Sequence, residues 1–220
     1  MLERMTGMPA DLPSPSVTVW GEAAVRSEPD EAVLWLTLTA VKKTPGAALS
    51  DVAKRGEALV TLLDGLGVAK ADRSTTGITV EEEHEHTGNG HRVVGHRATS
   101  QTSVHLADPE QVGQLVSRAA EELAARINGL RWLISLDNPV RLEAARRAAA
   151  DAEGKARAYA EGIGAGLGPL IRLSESGHAS DDWQPRKMAR AAAVSYAVSV
   201  EAGEQAVAAS IEATFALVPG

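Results

Sequence analysis

The sequence predicts an α+β fold, with antiparallel sheet packed against three main helices. Three observations predict it. Segments of period-two alternation recur early and late in the chain, and such alternation marks half-buried strands. The tetrapeptide Thr87-Gly88-Asn89-Gly90 sits between two extended segments, as the tip of a hairpin does. Three helical patterns open with one chemistry, a capping side chain followed by proline: Thr44-Pro45, Asp108-Pro109 and Asn138-Pro139. Hairpins impose antiparallel pairing, and clustered strands argue against a doubly wound parallel sheet.

The elements follow in order. Val17 to Val25 reads as a first strand, ended by Ser27-Glu28-Pro29-Asp30. Ala32 to Val41 is a second, with Leu34, Leu36 and Leu38 on one face and Trp35, Thr37 and Thr39 on the other. The helix from Thr44 places Leu49, Val52, Gly56, Leu59, Leu63 and Leu66 on one side, and Gly65 and Gly67 supply its stop. Two hairpin strands cover Ser74 to about His86 and Arg92 to Leu106. The helix from Asp108-Pro109 buries Val112, Leu115, Val116, Ala119 and Leu123, and Asn128-Gly129 closes that unit. Leu130, Trp132, Ile134 and Leu136 alternate in a further strand. The longest helix opens at Asn138-Pro139 and runs to about Gly164, with Ala145, Ala148, Ala152, Ala156 and Tyr159 on one face. Alanine is the best helix former and has a small side chain, so such a stripe lets a neighbour approach the helix backbone. Pro169 to Glu175 and Ala206 to Leu217 are the last two strands, separated by a long excursion over 176–203.

Composition narrows the function classes. The chain has 220 residues, of which 44% are apolar, 23% charged and 3% aromatic, so the core is built from Ala, Val, Leu and Ile. A net charge of -7 and the lack of a Lys/Arg cluster argue against a nucleic-acid partner. With no cysteine, disulfides, thiolate catalysis and Cys-ligated zinc are excluded. Residues 1–15 carry Pro9, Pro13 and Pro15 and read as a flexible lead-in without the apolar stretch of a signal peptide. No run reaches the roughly 20 apolar residues of a membrane helix. A cytoplasmic protein is expected on that reading, or an exported one if a leader has been removed.

The sharpest candidate chemistry is the hairpin end: Glu81, Glu82, Glu83, His84, Glu85, His86 and, across the tip, His91. His84 and His86 share a strand face about 7 Å apart, and with His91 they form a candidate divalent-metal set for zinc or nickel. The bland alternative is a solvated acidic hairpin end whose charge discourages edge pairing. The run Gly162, Gly164, Gly166, Gly168 follows a helix instead of opening one, so it reads as a helix stop and turn, not a phosphate loop. Glu28 and Asp30 flank a proline, where a local turn is the plainer reading. His105 reads as a packed or edge histidine. No G-x-S-x-G occurs and no catalytic set is identifiable, so an enzyme is not expected and no cofactor is assigned. A hydrolase site formed between subunits is the remaining enzymatic alternative. Trp20, Trp35 and Trp132 read as core or interface area, and Trp183 as a subunit contact.

Three segments in order carry a resemblance. They are Val17 to Ala32 (Val-Thr-Val-Trp-Gly-Glu-Ala-Ala-Val-Arg-Ser-Glu-Pro-Asp-Glu-Ala), then Arg92 to Ala98 leading to Val104-His105-Leu106-Ala107-Asp108. The third is Glu143-Ala144-Ala145-Arg146 through Asp151-Ala152, Lys155-Ala156 and Ala160 to Leu167-Gly168-Pro169-Leu170-Ile171 and Glu175. The set resembles the SIMPL-domain family, a family of unknown function, over about residues 16–218. The resemblance implies a two-part α+β domain at 16–220, divided here near 128/129 into 16–128 and 129–220. It also implies a large ring- or barrel-like homo-oligomer with stress- or envelope-linked roles, and supplies no catalytic residue to carry over. His96 stands where family members often have tyrosine, so a role for that hydroxyl does not carry over.

Overall fold

The computed structural model describes residues 14–87, 90–175 and 201–220. The elements run β1 (Ser16–Ser27), β2 (Glu31–Lys42), α1 (Pro45–Gly65), a single 3-10 turn (Lys70–Asp72), β3 (Arg73–Thr87), β4 (Gly90–Leu106), α2 (Gln111–Leu123), β5 (Arg126–Leu133), α3 (Pro139–Gly162), β6 (Ala165–Glu175) and β7 (Gln205–Pro219). The α+β class and the three main helices are as expected. The chain forms two compact units, one holding β1, α3, β6 and β7 and the other holding β2 through β5 with α1 and α2. They do not follow the expected break at 128/129. The chain instead leaves the first unit after Ser27 and re-enters it at Asp137.

In the second unit the strand order is β3-β4-β2-β5. β2 pairs antiparallel with β4, Leu34 opposite Val104 and Ala40 opposite Ala98, and with β5, Leu34 opposite Leu130. Alternation therefore places Leu34, Leu36 and Leu38 on the face that α1 and α2 cover, where all three are buried. From α1 the core takes Ala48, Val52, Leu59, Leu62 and Leu63, while Leu49, expected on that face, is exposed. Thr44 caps α1 as expected, its Oγ1 accepting from the Ala47 amide at 3.3 Å. Arg55 ties the layers together, donating to the carbonyls of Leu123 and Thr39.

Two expected boundaries shift here. Asp108 is not the N-cap of α2. Its Oδ1 accepts from the Glu110 amide at 2.9 Å, and the helix starts at Gln111. Nor does Asn128-Gly129 end the unit. Ala124, in the left-handed region at φ 46°, closes α2 one residue after Leu123, and Asn128 and Gly129 lie inside β5. A non-glycine in that conformation carries no composition signal that a sequence reading can use.

In the first unit the strand order is β1-β7-β6, with α3 packed on the sheet. Asn138 caps α3, its Oδ1 accepting from the Val140 amide at 3.0 Å. The buried stripe is Ala144, Ala148, Ala152, Ala156 and Ala160, all at 0% exposure. It corrects the expected face at both ends, since Ala145 is exposed and Tyr159 is 63% exposed. The stripe seats against Val19 of β1 and Ile211, Ala213 and Phe215 of β7. The turn after α3 is made by Gly164 at φ 71°, whereas Gly166 and Gly168 belong to β6, which begins earlier than the expected Pro169.

Candidate functional site

Helix and strand of the first unit approach closely at Gly21. A Cβ placed there would lie 2.1 Å from the Ala148 carbonyl oxygen and 2.6 Å from the Ala152 Cβ. Glycine on the strand and alanine on the helix thus act as one device, and only the smallest pair of residues permits this spacing. The proximity brings polar side chains of α3 to the backbone of β1. Asp151 Oδ2 accepts from the Glu22 amide at 2.9 Å, and Lys155 Nζ donates to the Trp20 carbonyl at 2.9 Å. The two side chains also pair with each other at 2.7 Å, one helical turn apart. The Lys155 ammonium, and after it the Glu22 amide, hold the Asp151 carboxyl below its usual range, and Asp151 in turn raises Lys155. β1 is an edge strand, so this pair seals backbone groups that an edge would otherwise offer to another chain.

The opposite edge, β6, has no such guard among the described residues. Leu170, Ile171 and Leu173 are 50%, 59% and 55% exposed. Beside them a groove of about 470 Å³ runs between α3 and the sheet, walled by Glu153, Arg157 and Glu161 from the helix and by Leu167, Leu170 and Phe215 from the strands. Arg157 Nη2 is bonded to Glu153 at 2.6 Å, so two of the three charges of this wall are paired with each other.

The candidate metal set is only partly described. His84 Nε2 lies 3.5 Å from Glu82 Oε2. The backbone of His86 pairs with that of His91 across the hairpin, but the side chains of both fall outside the described residues. Glu83 is bound by Arg97 through two hydrogen bonds of 2.6 and 2.7 Å, and the guanidinium holds its carboxyl below the usual range. Among the described residues no group of three His, Cys, Asp or Glu side chains is placed to hold a metal ion. Trp183 lies outside the described residues.

Other polar residues have structural partners. His105 is held through both ring nitrogens, by Glu31 at 3.1 Å and Asp72 at 3.7 Å, which orients the imidazole between two acids. Asp30 reaches across the sequence to Ser135, accepting from its amide and its hydroxyl at 2.7 Å each. Thus Asp30 clamps the start of β2 to the segment after β5. The sequence reading missed Gly21, Asp151 and Lys155 as a working set. Their spacing within α3 was visible, but their partner lies some 130 residues away.

Comparison with known proteins fits this architecture. Residues 17–215 match the family SIMPL, described as a protein of unknown function (DUF541). Two relatives are each named 26 kDa periplasmic immunogenic protein, one from Brucella melitensis biotype 1 and one from Brucella abortus strain S19. Each is 27% identical to this chain over 229 residues, spanning 96% of the chain and 86% of the relative. Those names place the relatives in the periplasm, which overturns the expectation of a cytoplasmic protein. No helix among the described residues is long and apolar enough to cross a membrane. With the family match running through both units and all the strands described above, this chain belongs to the SIMPL family.

Proposed function

We propose that this protein is a non-enzymatic, self-assembling component of the bacterial periplasm. The exposed apolar edge of β6 is the observation that carries the reading. Leu170, Ile171 and Leu173 present more apolar surface than a strand edge facing only water would keep. The periplasmic names of the two Brucella relatives support the location. A non-enzymatic role is favoured by where the perturbed ionisable groups lie. Asp51 with Lys42, Glu83 with Arg97, Glu122 with Arg118 and Asp151 with Lys155 are surface ion pairs, whereas catalytic groups gather in water-excluding clefts.

Size-exclusion chromatography with light scattering tests the assembly. The expected mass at micromolar concentration is a multiple of the 23.0 kDa chain. A single species at the chain mass would end the self-assembly reading. Turnover in a broad esterase, phosphatase and glycosidase screen, abolished by a point substitution, would end the non-enzymatic one.

A further inference from the structure

We propose that the groove between α3 and β6 binds a small amphipathic cation, an alkyl- or arylammonium whose apolar body lies on the strands and whose head meets Glu161. Such a site is separate from self-assembly and does not depend on it.

The two flanks of α3 are unequal. On one side of the buried alanine stripe, Asp151 and Lys155 reach the backbone of β1, where Gly21 lets helix and strand close up. On the other side stand Glu153, Arg157 and Glu161, each one turn from the next. Among the described residues none of these three side chains bonds to β6. The helix touches β1 more extensively than β6. The space left on the β6 side is the groove of about 470 Å³. Small-molecule sites span about 300–1,000 Å³ and combine a mostly apolar lining with a few polar groups.

The lining divides by chemistry. Leu167, Leu170 and Phe215 make it apolar on the strand side. The helix side carries two carboxylates against one guanidinium. That guanidinium is committed to Glu153, at 2.6 Å. Glu161 has no ion pair among the described residues. It also lies in the last turn of α3, where the outward carbonyls favour a positive charge. That turn holds no basic side chain. Carboxylate and helix end therefore act in the same direction at one end of an apolar groove. A cation with an apolar body answers both features. An anion would be repelled by Glu161, and a neutral apolar molecule would gain nothing from it.

The probe is 2-phenylethylammonium, with 2-phenylethanol as its neutral counterpart and phenylacetate as its anionic one. Titrated into the full chain, the ammonium is expected to shift the amide resonances of Glu161, Leu167, Leu170 and Phe215. It should bind about threefold more tightly than the alcohol, the scale of an exposed ion pair, with phenylacetate the weakest. In about 1 M salt, where the screening length is about 3 Å, the advantage over the alcohol should vanish. Glu161→Gln should remove the same advantage and leave the alcohol's affinity unchanged. Leu170→Ser, at a half-exposed position, should weaken both ligands while circular dichroism stays the same. Equal binding of ammonium and alcohol to the unaltered chain, or an advantage that survives Glu161→Gln, would overturn the role of Glu161. No shift at the groove with any of the three would overturn the site itself. None of these results alters the mass seen by light scattering, so the self-assembly reading stands or falls on its own.

Discussion

Two glycines on facing elements of one unit have opposite roles. Gly21 sits where any Cβ would strike the Ala148 carbonyl, which is backbone and cannot rotate away. Gly154 lies on the exposed side of α3 with nothing within 4 Å of a Cβ. Gly21→Ala is therefore expected to lower unfolding free energy by about 3 kcal/mol, the upper part of the range for overpacking. Gly154→Ala should raise it by roughly 0.5–1 kcal/mol, because glycine in a helix interior loses more chain entropy on folding. Urea unfolding of both variants reads the two signs. A neutral Gly21→Ala would mean that α3 and β1 are not as close as described, and the seal on β1 would lose its basis.

That seal makes the element scale titratable. Asp151 is depressed below its ordinary value of 3.8, first by Lys155 and then by the Glu22 amide. A carboxylate lowered in the folded state stabilises the fold above its unfolded value, and that contribution is lost as pH falls through the lower folded value. Lys155 is raised above its ordinary value of 10.5, so its share is present below that value and is lost as pH rises through the folded one. The difference in melting temperature between the protein and its Asp151→Asn variant should thus hold steady from neutral pH to about pH 5 and shrink below 3.8. For Lys155→Met the difference should shrink above 10.5. A difference that persists at low pH would assign Asp151 a role other than its charge. The same helix shows what the sequence makes legible. Period and capping located α3 because Asn138-Pro139 and the alanine content are local facts. The period placed Ala148, Ala152 and Ala156 on the buried face but missed its ends at Ala144 and Ala160, because Ala144 and Ala145 are chemically the same and only packing against distant strands selects between them. The alternation of β2 was readable because leucine and threonine differ. The β6 edge was not, since which strand ends a sheet depends on pairing order and not on any one strand's pattern. The His/Glu hairpin drew attention by composition, yet Glu83 is committed to Arg97 on the facing strand.

At the scale of the whole molecule the two units differ in how the chain builds them. Among the described residues, the second unit's buried core, from Ala32 to Ala125, comes from one uninterrupted stretch. The first unit draws its core from Val19 at one end of the chain and from Ile211, Ala213 and Phe215 at the other. Closing a loop costs entropy that grows with the logarithm of its length, so the first unit must close across the entire second one. A contiguous stretch with four paired strands, two covering helices and its own core exceeds the roughly 40 residues below which chains need staples. Residues 28–136 alone are therefore expected to fold, with a cooperative thermal transition and dispersed amide resonances. Asp30 is included because its carboxylate holds Ser135 at the far end of the same stretch. Removing that stretch and joining its ends should leave the remainder folded only if the join is short enough to restore β1 against α3. Broad, collapsed resonances from the 28–136 fragment would show that the second unit depends on the first, and that the order of chain entry does not reflect an order of stability.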